Sequence, residues 1–279
     1  MKKIILCADD YGQDLAISEG IVALVAKKCL SATSCMTTAT YWPTAAKLLQ
    51  PFQADIDIGL HFNLTEGAPL AVMPMLTSDG HFPSLTTLLA KSLTRQLNVA
   101  EIVAELHRQI DRFAEYMGKL PDFIDGHQHI HQFPVIRDAL MMVYAQRFAN
   151  HKPYVRCVDE AGFASLVQGL AKCKRLVIYL AGGRAFKPLL QQHSIPHNSS
   201  FGGIYDFEQA NGYGKLFPAF LRSVSNGGLI MCHPGLASDD KSDDPIARSR
   251  LFEYEYFYSD EFGQACYNGQ VELAKFRNL

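Results

Sequence analysis

Residues 3–12 read KIILCADDYG, in which an uninterrupted apolar run is followed by two aspartates, a tyrosine and a glycine. A continuous apolar run with β-branched residues is typical of a strand buried on both faces of a parallel sheet. From about Asp14 to Lys28, apolar residues recur at helical spacing. The chain is therefore expected to begin as a strand, an acidic loop and a helix.

The same alternation continues along the chain. We predict further strands at 34–40, 56–64, 123–130, 154–158 and 228–232, and helices at 43–49, 99–116 and 135–148. Strands that alternate with helices favour an α/β fold with a mainly parallel sheet, and we predict a distorted (β/α) barrel. Residues 159–226 alternate less clearly, and we expect one domain over residues 1–279.

The composition excludes several classes of protein. Of the 279 residues, 48% are hydrophobic and 19% are charged, which is typical of a globular chain. The 26 basic residues balance 28 acidic ones, so no nucleic-acid partner is expected. Seven cysteines without a Cys-x-x-Cys pair fit neither a disulfide framework nor a zinc ribbon. The first apolar run is too short for a secretion signal, and residues 29–46 are too polar to span a membrane, so we expect a cytoplasmic protein.

The strongest chemical signal is the stretch DGHQHIH at residues 125–131. In an extended strand, residues two apart point to the same side, so Asp125 and the three histidines His127, His129 and His131 are predicted to share one face. Neutral imidazole is a common metal ligand. The competing interpretation of each histidine taken alone is a hydrogen-bonded core or surface side chain.

Two other sequence features are predicted to converge with this stretch. Asp9 and Asp10 end the first strand, and His61 ends the apolar segment 56–60. The carboxyl ends of parallel strands collect on one face, where active sites are built. One carboxylate and two imidazoles can meet there and leave coordination positions open for water and substrate. An aspartate pair by itself would equally fit a solvated turn or a helix cap.

Three further positions are candidates for chemistry. His233 follows the apolar run 229–232, where it could protonate a leaving amine opposite a carboxylate base. Arg156 could keep a catalytic carboxylate ionised, although an exposed arginine is the more common interpretation. Phe201 and Gly202 could present an aromatic face and close backbone approach to a sugar, or form a packed glycine-rich turn.

Four segments together resemble a known family. They read ADDYG at 8–12, GLHFNLT at 59–65, DGHQHIHQFP at 125–134 and CHPG at 232–235. In this order they are similar to the YdjC-like chitooligosaccharide deacetylases, which include hopanoid-biosynthesis deacetylases. The resemblance implies a barrel related to the NodB-type polysaccharide deacetylases. It also implies metal-dependent hydrolysis of an N-acetyl group on an amino-sugar-containing substrate, such as a chitooligosaccharide or a glycolipid.

Site roles follow from the resemblance motif by motif. The metal ligands would be Asp10, His61 and His127, around one Mg²⁺ or Zn²⁺ ion. Asp9 would be the general base and His233 the acid. Roles beside the metal or in substrate binding would fall to His129, His131, Arg156, Phe201 and Gly202. Cys7 stands where the family often has Asn, and Tyr11 where Phe is common, so Cys7 could alter a hydrogen bond to the catalytic loop.

Two other functions are compatible with parts of this pattern. An amidohydrolase-type barrel acting on another amide or ester usually places His-x-His on its first strand, where this chain has two aspartates. A non-catalytic metal-binding or sugar-binding protein would have no need of the base Asp9 and the acid His233. The ligand types also accommodate manganese, iron or cobalt. Association into a homo-oligomer stays open.

Overall fold

The computed structural model describes residues 1–77, 79–158, 182, 184–237 and 244–279. Within them, eight strands form a single sheet. The strands are β1 (Lys2–Tyr11), β2 (Ala32–Cys35), β3 (Asp57–Phe62), β4 (Phe123–Gly126), β5 (Tyr154–Val155), β6 (Phe201–Gly202), β7 (Gly228–Cys232) and β8 (Val271–Leu273). The helices are α1 (Leu15–Ala26), α2 (Trp42–Leu49), α3 (Leu85–Leu93), α4 (Val99–Met117), α5 (Ile136–Arg147), α6 (Arg184–Gln192), α7 (Tyr213–Ser223), α8 (Ala247–Tyr258) and α9 (Asp260–Asn268).

The sheet is parallel and curls into a distorted barrel, as the sequence predicts. Its strand order is β5-β4-β3-β2-β1-β7-β6, and β8 pairs with the first residues of β1. The two ends of this order approach each other, because Val155 in β5 forms a parallel bridge with His197, shortly before β6. The Val155 N–H donates to the carbonyl of Pro196 at 2.8 Å.

The central strand β1 has apolar neighbours on both of its faces. Ile4, Leu6 and Ala8 belong to the large core shared with the helices. Ile5 and Cys7 point the other way, into a smaller apolar cluster inside the barrel. Successive residues of β1 alternate between two faces that are both buried, so β1 appears in the sequence as a continuous apolar run.

The predicted strand at 34–40 is wrong beyond Cys35. Cys35 pairs with Tyr11, the last residue of β1, so on that side β2 has no partner strand farther along. The Met36 N–H donates to the Tyr11 carbonyl at 2.8 Å, and the Ala39 N–H donates to the Met36 carbonyl at 3.2 Å. The chain therefore turns where the sequence pattern predicted a continuing strand.

The predicted strand at 123–130 is also wrong in its second half. β4 ends at Gly126, and His127–Gln132 forms a 3₁₀ turn in which Gln128 and His129 have φ of 55° and 62°. A Cβ at Gly126 would lie 2.9 Å from the backbone nitrogen of His131, so the chain folds back over a position that only glycine leaves open. The alternation predicted for His127, His129 and His131 therefore does not hold.

The less regular segment predicted at 159–226 is described only in part. Residues 159–181 and 183 lie outside the described residues, and the remainder contains α6, β6 and α7. Among the helices that the structure describes, none is long and apolar enough to cross a membrane. The cytoplasmic location stays a prediction.

Candidate metal centre and active site

A layer of polar side chains lines the carboxyl end of the barrel interior. Each lies two positions after an apolar residue or a glycine. Because residues two apart in a strand face the same side, both positions of each pair face the barrel interior. The pairs are Cys7 and Asp9, Ala32 and Ser34, Gly59 and His61, Phe123 and Asp125, and Tyr154 and Arg156. The active-site layer therefore lies directly on the apolar filling of the barrel.

Asp10 joins this layer because β1 is irregular at its end. The register between β1 and β2 shifts between Ala8 and Tyr11, and Asp10 has a φ of 66°. A left-handed backbone is rare for residues other than glycine, although aspartate tolerates it better than most. The irregularity lets Asp9 and Asp10 face the same site, although neighbours in a regular strand point apart.

Asp10, His61 and His127 form a buried group that can hold a metal ion. Their ligand atoms all lie within 4.8 Å of one another. The Asp10 Oδ1 atom is 3.3 Å from His61 Nε2 and 3.1 Å from His127 Nδ1. The structure thus brings together the three residues predicted as ligands.

The second nitrogen of each imidazole contacts a carboxylate. His61 Nδ1 lies 2.6 Å from Asp125 Oδ1, and His127 Nε2 lies 3.2 Å from Glu66 Oε2. A carboxylate on the outer ring nitrogen orients a ligating histidine and increases its basicity. One carboxylate oxygen and two imidazole nitrogens held in this way fit a divalent cation.

The charges of the site attract a positive species. Burial alone would lower the pKa of His61, but Asp125 and Asp10 outweigh it and raise that pKa to about 10. The pKa of His127 is raised against burial by contacts with Asp10 and Glu66. Arg250, with both histidines, holds the pKa of Asp10 well below its usual range despite burial. The site therefore favours a bound proton or a bound cation over neutral groups.

Asp9 forms a two-pronged ion pair with Arg156. Nη1 and Nη2 of Arg156 each donate to one Asp9 oxygen at 2.6 Å. Nη2 also lies 2.6 Å from Asp125 Oδ2 and 3.1 Å from the sulfur of Cys7. Burial would raise the pKa of Asp9, but the guanidinium outweighs it and holds that pKa below its usual range. Cys7, Asp9 and Asp125 also lie close enough to hold a metal ion, but Nη2 of Arg156 already contacts all three.

The other two histidines of the motif occupy different surroundings. The rings of His129 and Phe201 are nearly perpendicular with centroids 5.5 Å apart, and burial holds the pKa of His129 well below its usual range. His131 Nε2 lies 2.8 Å from the Arg156 carbonyl, and burial lowers the pKa of His131 to about 4. Neutral His131 can therefore donate to the backbone of Arg156.

Phe201 and Gly202 form β6, beside β7. Phe201 is only 2% exposed, and the Arg156 guanidinium lies 5.9 Å from the centre of its ring. In the described structure, Phe201 therefore packs over the ion pair of the interior. A sugar contact by Phe201 or Gly202 stays a prediction.

His233 follows β7 and packs against Phe207, with ring centroids 5.3 Å apart. Its backbone N–H donates to Glu253 Oε2 at 2.6 Å, and the Tyr205 hydroxyl donates to Glu253 Oε1 at 2.6 Å. Burial raises the pKa of Glu253 to about 7, although both donors oppose it. Burial also lowers the pKa of His233 to about 4, against the fields of Asp10 and Asp9. At neutral pH the imidazole of His233 is therefore uncharged.

Comparison with known proteins settles the family. The family of YdjC-like proteins matches residues 3–268 of this chain. The chain belongs to the YdjC-like family.

Two curated relatives match this YdjC-like chain over about half its length. A carbohydrate deacetylase from Danio rerio is 32% identical over 145 residues, which are 50% of this chain and 46% of the relative. A chitooligosaccharide deacetylase from Salmonella heidelberg (strain SL476) is 33% identical over 144 residues, 52% of this chain and 56% of the relative. The YdjC-like chain thus spans about half the length of the curated relatives it matches.

Solved structures share the fold of this YdjC-like chain. A protein from Enterococcus faecalis V583, whose name proposes cellobiose-phosphate cleavage, aligns with a TM-score of 0.71 at 19% identity, covering 99% of this chain and 98% of the other. The Bc1960 peptidoglycan N-acetylglucosamine deacetylase aligns with a TM-score of 0.53 at 12% identity, covering 99% and 86%. At these identities the likeness concerns the fold.

Several residues of the YdjC-like site had no individual signal in the sequence. Glu66 and Arg250 contact the candidate ligands His127 and Asp10 from distant positions. Ser34 donates to Asp125, and Glu253 holds the backbone of His233. Ser34 could have been found by the two-residue spacing of inward positions, but nothing in the sequence pairs Arg250 with Asp10.

Proposed function

We propose that this YdjC-like protein is a metal-dependent carbohydrate deacetylase that hydrolyses the N-acetyl group of an amino-sugar. The observation that carries the proposal is the position of the Asp10, His61 and His127 group beside an ionised carboxylate, Asp9. The names of two relatives, carbohydrate deacetylase and chitooligosaccharide deacetylase, support it.

Asp10, His61 and His127 would hold the metal ion. When bound, a divalent cation supplies a Lewis acid for the acetyl carbonyl and lowers the pKa of water at the site. Two imidazole donors suit Zn²⁺ and similar transition-metal ions, whereas Mg²⁺ prefers oxygen ligands. We therefore propose Zn²⁺ or a similar ion ahead of Mg²⁺.

Asp9 is the proposed general base. Its carboxylate stays ionised at neutral pH. Arg156 donates to both oxygens and the Cys7 thiol donates to Oδ1 at 3.6 Å, so Oδ2 keeps a second lone pair. Asp9 can therefore accept a proton from the attacking water while Arg156 fixes its direction. The low pKa limits its strength as a base, so the position of the carboxylate matters more than its basicity.

His233 is the proposed proton donor to the leaving nitrogen. The oxygen of water forms the new bond to the acetyl carbon, the bond from that carbon to nitrogen breaks, and the amine takes a proton as it leaves. Because His233 is uncharged in the free protein at neutral pH, it must gain a proton before it donates one. Glu253 holds the backbone of His233 in place.

Acetate release tests this proposal. Protein stripped with a chelator is incubated with N-acetylated chitooligosaccharides, alone or with added Zn²⁺ or Mg²⁺. A sugar O-acetyl ester and a cyclic amide serve as comparison substrates, and opening of the cyclic amide is followed separately because it releases no acetate. We expect metal-dependent acetate release from the N-acetylated sugars. Cleavage of the cyclic amide alone, or sugar binding without acetate release under every metal condition, would contradict the proposal.

A further inference from the structure

Five side chains form a closed polar ring beside the candidate metal centre. His127 Nδ1 lies 3.1 Å from Asp10 Oδ1, and His127 Nε2 lies 3.2 Å from Glu66 Oε2. Gln13 Nε2 donates to Glu66 Oε1 at 2.6 Å, and Gln13 Oε1 accepts from Arg250 Nη2 at 3.0 Å. The same Arg250 nitrogen donates to Asp10 Oδ2 at 2.8 Å and closes the ring.

The amide of Gln13 has only one workable direction in this ring. Its NH₂ group faces the carboxylate of Glu66, and its oxygen faces the guanidinium of Arg250. A reversed amide would set oxygen against carboxylate and NH₂ against guanidinium, which leaves both contacts without a donor and acceptor pair. Gln13 therefore connects the partly exposed carboxylate of Glu66 to the buried guanidinium of Arg250.

The backbone holds both ends of this connection in place. The Gln13 N–H donates to the Asp10 carbonyl at 3.1 Å, so the side chain leaves the same turn as the candidate ligand. That turn requires glycine at position 12, because Gly12 has a φ of 92°. A Cβ placed on Gly12 would also lie 3.2 Å from Trp42, so the turn is closely packed. On the other side, Asn63 Oδ1 accepts from the Glu66 N–H at 3.1 Å.

We propose that Gln13 is a positioning residue for the metal centre. Through Glu66 it directs His127 to offer Nδ1 to the ion, and through Arg250 it directs Asp10 to offer Oδ1. This inference rests on the proposed metal site, because positioning has an effect only where Asp10 and His127 are ligands. No part of it depends on which sugar is deacetylated.

Metal affinity is the direct test of Gln13. Gln13→Leu removes both hydrogen bonds at similar size, and Gln13→Glu keeps an acceptor for Arg250 but sets a second carboxylate against Glu66. Gln53→Leu is the matched control, since Gln53 donates to the Met117 carbonyl at 3.1 Å and takes no part in the ring. Zn²⁺ affinity is measured by competition with a coloured chelator, and thermal unfolding of the metal-free forms reports the fold.

Both Gln13 variants are expected to bind Zn²⁺ more weakly by up to about tenfold, because Gln13 acts through Glu66 and Arg250, and loss of such an outer partner itself typically costs about 10–100-fold. Gln53→Leu is expected to bind as the wild type does. Wild-type affinity in both Gln13 variants would overturn the proposal. If Gln13→Leu fails to fold, Gln13→Glu alone decides.

A second readout follows the ring of His127 itself. Nitrogen NMR of the zinc-loaded wild type should show the proton of His127 on Nε2 and the metal on Nδ1. The reverse pattern would overturn the proposal, because Nε2 could then not donate to Glu66. Zinc-loaded Gln13→Leu should lose this fixed pattern, whereas a purely structural role of Gln13 would leave it unchanged.

The results separate this inference from the proposed function. If Gln13 variants lose affinity while the wild type releases no acetate from any substrate, the positioning role stands and the function is wrong. If acetate release depends on the metal and the Gln13 variants bind normally, the positioning role is wrong and the function stands. If His61→Ala and His127→Ala both keep the metal, both proposals are wrong.

Discussion

Neighbouring aspartates at the end of β1 have different partners. Both oxygens of Asp9 accept from Arg156, whereas Asp10 contacts two histidines and Arg250. The difference arises because Asp9 keeps the inward direction of the strand, while the left-handed backbone of Asp10 turns its side chain into the same layer, beside the histidines. One residue is therefore placed to handle a proton and the other to hold a cation.

Conservative substitutions should separate these roles. Asp9→Asn is expected to keep the metal and lower the rate of acetate release by about 10²–10⁴-fold, because an amide cannot take the proton from water. Asp10→Asn should lower metal affinity, with partial recovery of activity at high metal concentration. Metal content and acetate release are measured for both. An Asp9→Asn protein that loses its metal, or that works at the wild-type rate, would reverse the assignment.

His233 can be tested through the leaving group. An amine must be protonated as it leaves, whereas para-nitrophenolate leaves without a proton. His233→Ala is therefore expected to lower the rate on an N-acetylated sugar by about 10²–10⁴-fold and to affect para-nitrophenyl acetate much less. Asp9→Asn, the comparison variant, should slow both substrates. Equal losses on both substrates for His233→Ala would show that it does not protonate the leaving nitrogen.

Some of the individual site residues were predictable from the sequence. Asp10, His61 and His127 meet as expected because each lies at or just after the end of a parallel strand. Their partners Glu66 and Arg250 were not predictable, since Glu66 lies in the loop after the segment 59–65 and Arg250 lies in α8, outside every motif. Contacts across 240 residues, such as that between Asp10 and Arg250, depend on tertiary packing that no local pattern encodes.

At the scale of elements, the end of β4 decides where the motif histidines lie. Gly126 has an ordinary extended backbone with a φ of −151°, so a larger residue is excluded there by lack of space and not by backbone strain. The strand pattern of residues 127–130 resembles that of β4, and the sequence could not show that the chain folds back over Gly126. Strands β5, β6 and β8 are two or three residues long, too short for a periodic pattern, and β6 and β8 were not predicted. The sequence did predict the long, central β1 and the apolar β7.

Gly126→Ala tests this fold-back. Its new Cβ would lie 2.9 Å from His131 nitrogens, which should lower the free energy of unfolding by about 1–3 kcal/mol, a typical cost of overpacking. Metal affinity should fall too, because His127 is the next residue. Gly212→Ala is the control, since an added Cβ there meets nothing within 4 Å. A Gly126→Ala protein with wild-type stability and affinity would show that the turn does not need glycine.

Asp57, at the start of β3, should make stability depend on pH. Burial raises the pKa of Asp57 to about 6, although the Phe276 N–H donates to its carboxyl at 2.7 Å. Between the ordinary aspartate pKa near 4 and this value, the folded state binds more protons than the unfolded state. The contribution of Asp57 to stability is therefore fully present below about pH 4 and is lost as pH rises through about 6.

Asp57→Asn removes this titration and keeps an acceptor for Phe276. The unfolding free energy of the variant minus that of the wild type should rise between about pH 4 and 6 and stay level above. Denaturant unfolding at several pH values measures it. A difference that is constant across this range, or that falls, would contradict the raised pKa.

At the scale of the whole molecule, one sheet joins the two ends of the described chain. β8 pairs with β1 at residues 2–4, and the barrel interior is filled by side chains from strands throughout the sequence. We propose on this basis that residues 1–279 form a single domain. The polar layer that holds the candidate ligands therefore depends on the complete barrel, since its members come from five strand ends.

We propose that Asp10, His61 and His127 hold one divalent ion on which acetate release depends. Stepwise addition of Zn²⁺ to chelator-stripped protein, with acetate release from an N-acetylated chitooligosaccharide measured at each step, tests it most directly. We expect no release without metal, a rise to a plateau at one equivalent, and no recovery in His61→Ala or His127→Ala. Release at the full rate from metal-free protein, or a full metal-dependent rise in both histidine variants, would contradict it.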